Sequence, residues 1–484
     1  MKKSLFIFIL ALFVTACGGR TEESHETVPL HGAAPAPPET APSFPAPETA
    51  PPDERIPAPA PLVLESICIY RAAEYISKLE ALLDAGEDTL WGANLNAPFA
   101  FADRFSRKAV ANMPDNHGFL RRHEAGVYVG ILPESVFIGT TATRVDDRLW
   151  GMVTWDFVEQ FGHEPLKIVG VMAHEIFHAW QPQLFGGPHP GSPELAHMDD
   201  LDARITVMLE IDALFTALES YGDERIAAIQ DALSIRAHRR RIHPGRAVAE
   251  NLFEIHEGTA TYIEARLGRQ YMADKAVLIE RLLNEHFRGQ SLHHFGYITG
   301  ALYGLLLTDL GADWKAGLGW RDDLGALLKE AAGITELRPF AELDLAQYEQ
   351  IRAAETAWVE NLNRLIQDAV ALFAGPTLRF DTDGIFDADD SYFDTLVSPL
   401  DLIGQRHWVF YGDFVYTHTF GQIGFTGGFL LMGRARNNLE VSAQEIEIQE
   451  NRVIGYNWIL TLNDGYEICP FPRGGSFYIE RAPD

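Results

Sequence analysis

The sequence predicts an α+β protein in which a small antiparallel sheet leads into a mainly helical region and an all-β C-terminal domain follows. Three observations predict it. From Gly126, short runs alternate around turn residues. Over residues 165–375, apolar residues recur near a 3.6-residue period. Past Gly375-Pro376, short alternating, aromatic-rich runs return, split by glycine and asparagine. With 484 residues, 47% of them hydrophobic and 22% charged, the chain is long enough for two or three domains and a large core. Its net charge of −29 argues against a nucleic-acid partner, since no basic face is available to displace counterions from phosphates.

The chain opens with Lys2 and Lys3 and an apolar run over residues 5–14 that is too short to span a bilayer, the pattern of an export signal. The end of that run, Val14-Thr15-Ala16-Cys17, resembles the lipobox of bacterial lipoproteins. The resemblance implies that residues 1–17 are a signal peptide and that Cys17 carries the lipid that anchors the protein to the cell envelope. Gly18, where Asp would favour inner-membrane retention, points to the outer membrane, facing the periplasm or the cell surface. Residues 18–62, dominated by Pro, Ala, Glu and Thr, cannot bury a core and read as a disordered, extended tether. With Cys17 lipidated, Cys68 and Cys469 remain; a disulfide between them and two unpaired buried thiols both stand open.

Residues 63–375 form the first folded domain. A helix is expected over 63–92, then strands in GVYVGIL, VFIGTTATRV and RLWGMVTWDF, with a turn at Asp146-Asp147. Helices follow in LKIVGVMAHEIFHAWQPQL, in DARITVMLEIDALFTALESYG, over 247–267, in YITGALYGLLLTDL and over 345–373. Arg236, Arg239, Arg240, Arg241 and Arg246 read as the solvated end of a helix. Arg204, Glu210 and Asp212 read as a partly buried ion pair bracing the helix of residues 166–184, and His189 as a loop residue. Residues 376–484 form the β domain, with strands in HWVFYGDFVYTHTF, GGFLLMGRA, EIEIQEN and NWILTLN. The acidic run at 381–394 lacks the ligand spacing of an EF-hand and reads as a solvated loop.

Chemistry concentrates in VMAHEIFHAW, residues 171–180. On a helix, positions i and i+4 share a face, so His174 and His178 can present imidazole nitrogens to one ion, with Glu175 beside them to work on a water. A catalytic zinc site needs a third protein ligand and an open position. Residues 254–264, EIHEGTATYIE, resemble the E-G-x-A-x-Y-x-E helix of the gluzincin metallopeptidases, a group that includes thermolysin-like and aminopeptidase-like enzymes. The resemblance implies a zincin-like catalytic domain with Glu257 as third zinc ligand and Gly258 admitting the first helix. Glu254, one turn earlier, is the rival ligand, and Glu264 a carboxylate behind the ligands or on the surface. Many aminopeptidase-like members carry Tyr-x-x-Gly at the head of a later helix, where the tyrosine stabilises the oxyanion. Tyr297 with Gly300 matches, with His293 and His294 as alternate donors. The family also holds extended peptide along an edge strand ahead of the metal helix, for which WGMVTWDF is the candidate.

The resemblance covers roughly residues 130–310. It departs from the aminopeptidases in the long segment between His178 and Glu257 and in lacking a Gly-x-Met-Glu-Asn segment, so exopeptidase action is not implied. The expectation is one Zn2+ per chain on His174, His178 and Glu257, with Glu175 and Tyr297 acting on a peptide or protein substrate. The alternative is a non-catalytic metal-binding lipoprotein scaffold that binds a surface or protein partner; a hydrolase acting on another bond is a third reading.

Overall fold

The computed structural model describes residues 67–482, apart from 93, 105, 161–164, 192, 268–291, 382–394, 403–404, 419, 433–437 and 472–475. The signal peptide, Cys17, the tether and nearly all of the acidic run lie outside the described residues. Helix α1 (Ile69–Leu90) buries Ala72, Tyr75, Ile76, Leu79 and Leu83, the stripe its periodicity implies. Among the described residues no helix is long and apolar enough to cross a membrane.

A six-stranded sheet follows: β1 (Phe99–Ala102), β2 (Lys108–Ala111), β3 (Leu120–Arg122), β4 (Tyr128–Ile131), β5 (Thr141–Val145) and β6 (Arg148–Thr154), in the order β3-β4-β2-β1-β6-β5. It is mixed, not antiparallel as expected, because β1 runs parallel to β6 with Phe99 opposite Gly151. Its first three strands precede Gly126, where the sequence reading begins the sheet. FAFA and KAVA are four residues long and half alanine, so they carry little β signal. The alanines nonetheless explain the packing. Ala100, Ala102, Ala109 and Ala111 line one face and make room for Trp150 and Met152, while Phe101 on the other face meets Tyr75 and Trp155. In the segment expected to be a strand from Val136, Val136 and Ile138 are buried in that core without pairing until β5. The turn at Asp146-Asp147 is present, with Asp146 in the left-handed region (φ 54°).

Strand β6 was expected to be an exposed edge. It lies between β1 and β5, which makes β5 the edge, and its terminal Trp-Asp-Phe begins helix α2 (Trp155–Gln160). Helix α3 (Pro165–Leu184) then packs across β6. The approach is close: a Cβ on Gly151 would stand 2.8 Å from the Ile176 nitrogen, so only glycine fits beneath the middle of α3.

The helical layer comprises α4 (Leu201–Glu219), α5 (Gly222–Ile242), α6 (Ala247–Phe253) and α7 (Thr259–Leu267), then α8 (Phe295–Asp309), α9 (Leu324–Ala331) and α10 (Tyr348–Phe373). The helix expected over 247–267 is interrupted: Glu254–Gly258 joins α6 to α7 as one π-helical turn. Two other expectations are corrected here. Arg236 and Arg239 on α5 are buried and paired, Arg240 and Arg246 are half-buried, and only Arg241 of the run is exposed. Glu210 of α4 accepts from both arginines and from the Tyr303 hydroxyl, while Arg204 pairs instead with Glu355 of α10 at 2.6 Å and lies over the Trp358 ring. Spacing places Arg236 and Arg239 on one helix face, but the acids that make this face internal come from other helices, which local pattern does not show.

The C-terminal region is β-structured. Strands β7 (Thr377–Asp381), β8 (Thr395–Leu402), β9 (Gln405–His418), β10 (Gly421–Met432), β11 (Asn438–Ser442), β12 (Glu447–Gln449), β13 (Arg452–Gly455), β14 (Trp458–Leu462), β15 (Tyr466–Pro470) and β16 (Phe477–Arg481) form one sheet. Leu378, Phe380, Ile423, Leu430, Val441 and Leu460 share one core. Val409, Phe429 and Leu431 pack against Trp358, Leu362, Leu365 and Phe373 of α10. Cys68 and Cys469 are both free, and Cys68 is exposed.

Candidate metal centre

Three elements meet at one point. Helix α3 brings His174 and His178, spaced one turn apart. The π turn brings Glu257. The first turn of α8 brings Tyr297. The α8 helix reaches the π turn backbone to backbone, since Gly258 and Gly300 are in contact.

The three ligand candidates converge. His174 Nε2 and His178 Nε2 lie 3.0 Å apart, and Glu257 Oε2 lies 3.3 Å from the first and 3.2 Å from the second. Atoms bound at about 2.0–2.1 Å around a tetrahedral ion would be about 3.4 Å apart, so this triangle has the size a zinc ion requires. Among the described residues, one other group of potential ligands has its atoms within 4.8 Å of one another, Glu467, Cys469 and Glu480, with both glutamates exposed.

The surroundings turn these atoms inward. Gln181 donates its amide to the carbonyl of His256 at 2.6 Å and to the Thr259 hydroxyl at 3.1 Å. Its carbonyl is thereby left to accept from His178 Nδ1 at 2.8 Å, which leaves the Nε2 lone pair for the centre. Glu264 Oε2 lies 3.5 Å from His174 Nδ1, an ion-pair distance on the far side of that ring. Burial alone would lower the pKa of His174, but Glu257, Glu264 and Glu175 raise it to about 10. These carboxylates favour positive charge at the point where the ligand atoms meet, which suits a cation.

Glu175 is buried beside the pair, and its Oε2 has no hydrogen-bond partner among the described residues. Burial pushes its carboxyl up to about 7, against the opposing pull of His174 and His178. That value suits a group that exchanges protons near neutrality. Tyr297 stacks on His174, with centroids 5.8 Å apart and planes 11° apart, and meets His294 edge-on at 5.7 Å. The side chain of His293 lies outside the described residues.

Glu254 does not join the cluster. Both its oxygens take Arg236, at 2.6 and 2.5 Å, and Thr299 donates to it at 2.8 Å, so the rival ligand is committed elsewhere. Two residues the sequence reading passed over stand at the centre. Gln181 is three residues after His178, and His256 touches both His178 and Glu257. His189 does more than occupy a loop: its ring lies 4.1 Å from His256 and 5.0 Å from Trp320. No family model, curated protein or solved structure matches the chain.

Proposed function

We propose that the protein is a zinc-dependent hydrolase of peptide bonds, with His174, His178 and Glu257 holding the ion. The observation that carries the reading is the meeting of three inward-turned ligand atoms beside a buried carboxylate with an oxygen to spare. A bound Zn2+ supplies a Lewis acid that polarises a carbonyl and acidifies water at neutral pH. Glu175 takes the proton of the attacking water and returns it to the leaving nitrogen, a role its raised pKa supports. Tyr297 directs its hydroxyl at the oxygen on which negative charge develops. Strand β5, the edge strand beside α3, offers backbone groups to an extended peptide. Export and a lipid on Cys17 place this activity at the cell envelope.

Glu175→Gln tests the reading. Metal content is measured alongside cleavage of a mixed peptide library by the full chain. The expected result is unchanged zinc stoichiometry with turnover reduced about 10²–10⁴-fold. Wild-type protein that holds zinc but cleaves no peptide would overturn the enzymatic reading in favour of a metal-holding scaffold.

A further inference from the structure

His256 immediately precedes the third ligand candidate. Neighbouring residues on an ordinary helix point apart and do not touch. Here both belong to the π turn, and His256 Nδ1 lies 2.8 Å from Glu257 Oε1. Single π turns recur where a helix must re-aim a side chain at a functional site. The two carboxylate oxygens are therefore divided. Oε1 faces His256, while Oε2 faces His174 and His178. The imidazole is itself held, with the His178 ring at 4.4 Å, the His189 ring at 4.1 Å and the Trp320 ring at 6.0 Å.

We infer that His256 is a positioning residue of the metal centre, its Nδ1, 2.8 Å from Oε1, holding Glu257 as a ligand through Oε2 alone. The inference rests on the metal reading above. A free carboxylate can turn and bind through both oxygens, filling the position that a water or substrate needs. A carboxylate with one oxygen already hydrogen-bonded meets the ion without that rotation and leaves the position open. His189 belongs to the same device, since it packs on the ring that makes the bond.

The experiment compares wild type, His256→Phe and His256→Asn as full chains, reading Zn2+ affinity by chelator competition and coordination by the visible spectrum of the Co2+-loaded protein. Phenylalanine keeps the ring packing and removes the donor; asparagine restores a donor on a shorter side chain. The expected result is a loss of about 10–100-fold in Zn2+ affinity for His256→Phe, with a Co2+ spectrum of higher coordination number. His256→Asn should recover most of that affinity, and far-UV circular dichroism should be alike in all three. Wild-type affinity and an unchanged Co2+ spectrum in a folded His256→Phe would overturn the inference while leaving the metal reading intact. Folded wild-type protein that binds neither Zn2+ nor Co2+ would overturn both.

Discussion

Gly258 and Gly300 meet backbone to backbone. A Cβ on Gly258 would stand 2.4 Å from the Gly300 Cα and 2.5 Å from the Gly296 carbonyl oxygen, and a Cβ on Gly300 would stand 2.6 Å from the Gly258 Cα. Glu257 adjoins the contact on one helix, and Tyr297 lies one turn before it on the other. Either Gly→Ala change must push α8 off the π turn, at a cost of about 1–3 kcal/mol. Urea denaturation should show that loss for each variant, and less than the sum for the double variant, because one separation relieves both clashes. Wild-type stability in Gly300→Ala would contradict the packing described.

Gln181 is buried completely and fixes the tautomer of His178. Leucine there has similar bulk and no acceptor for the Nδ1 proton. Gln181→Leu is expected to fold and to bind Zn2+ about 10–100-fold more weakly, as read by chelator competition. Unchanged affinity would mean that His178 is oriented by its packing alone.

The arginines of α5 make the fold sensitive to acid. Glu250 takes both Nε and Nη2 of Arg239 at 3.2 Å and His197 Nε2 at 3.0 Å; Asp323 takes Arg236 and Arg240. Burial opposes ionisation of both carboxyls, yet the arginines hold both well below the ordinary carboxylate range. Folded pKa values below the unfolded ones mean that this stabilisation is complete above about pH 5 and lost progressively as pH falls below about 4. Urea midpoints measured from pH 7 to pH 3 should fall in that window. Glu250→Ala should cost about 3–5 kcal/mol at pH 7 by leaving Arg239 without one partner. A flat profile in the wild type would remove the network from the account of stability.

Asp212 has the opposite sign. Burial alone pushes its carboxyl up to about 6, and among the described residues no cation pairs with it. A folded pKa above the unfolded one means that ionisation destabilises the fold, increasingly as pH rises from about 4 through 6. Asp212→Asn should therefore stabilise by about 1–2 kcal/mol at pH 7 and by little at pH 4. Equal effects at both pH values would point to packing instead of charge.

The residues that a local pattern can reveal were those the sequence displayed. The periods of α3, α4, α8 and α10 mark helices, and β9, β10, β12 and β14 fall where alternating or aromatic runs stand. His174 and His178 are legible because a spacing of four puts both on one helix face, and Glu257 and Tyr297 because their segments resemble those of a known family; the structure brings all four together. What escaped depends on distant partners. β1 declares itself only through its partners β2 and β6, and the burial of Arg236 and Arg239 only through Glu210, Glu250 and Glu254. The π turn that brings His256 onto Glu257 inserts a register change that heptad-like periodicity passes over.

The α4–α5 hairpin lies in the chain between the two histidines and Glu257, and it supplies the charges that clamp Glu250 and Glu254 on the Glu257 helix. The ligands can meet only after that hairpin has docked, because closing the intervening loop yields nothing until its arginines find their acids. On the zinc reading proposed above, capture of the ion is then a late event on the folding path. During refolding with a chromogenic chelator present, metal uptake should follow the return of helical signal with a measurable lag.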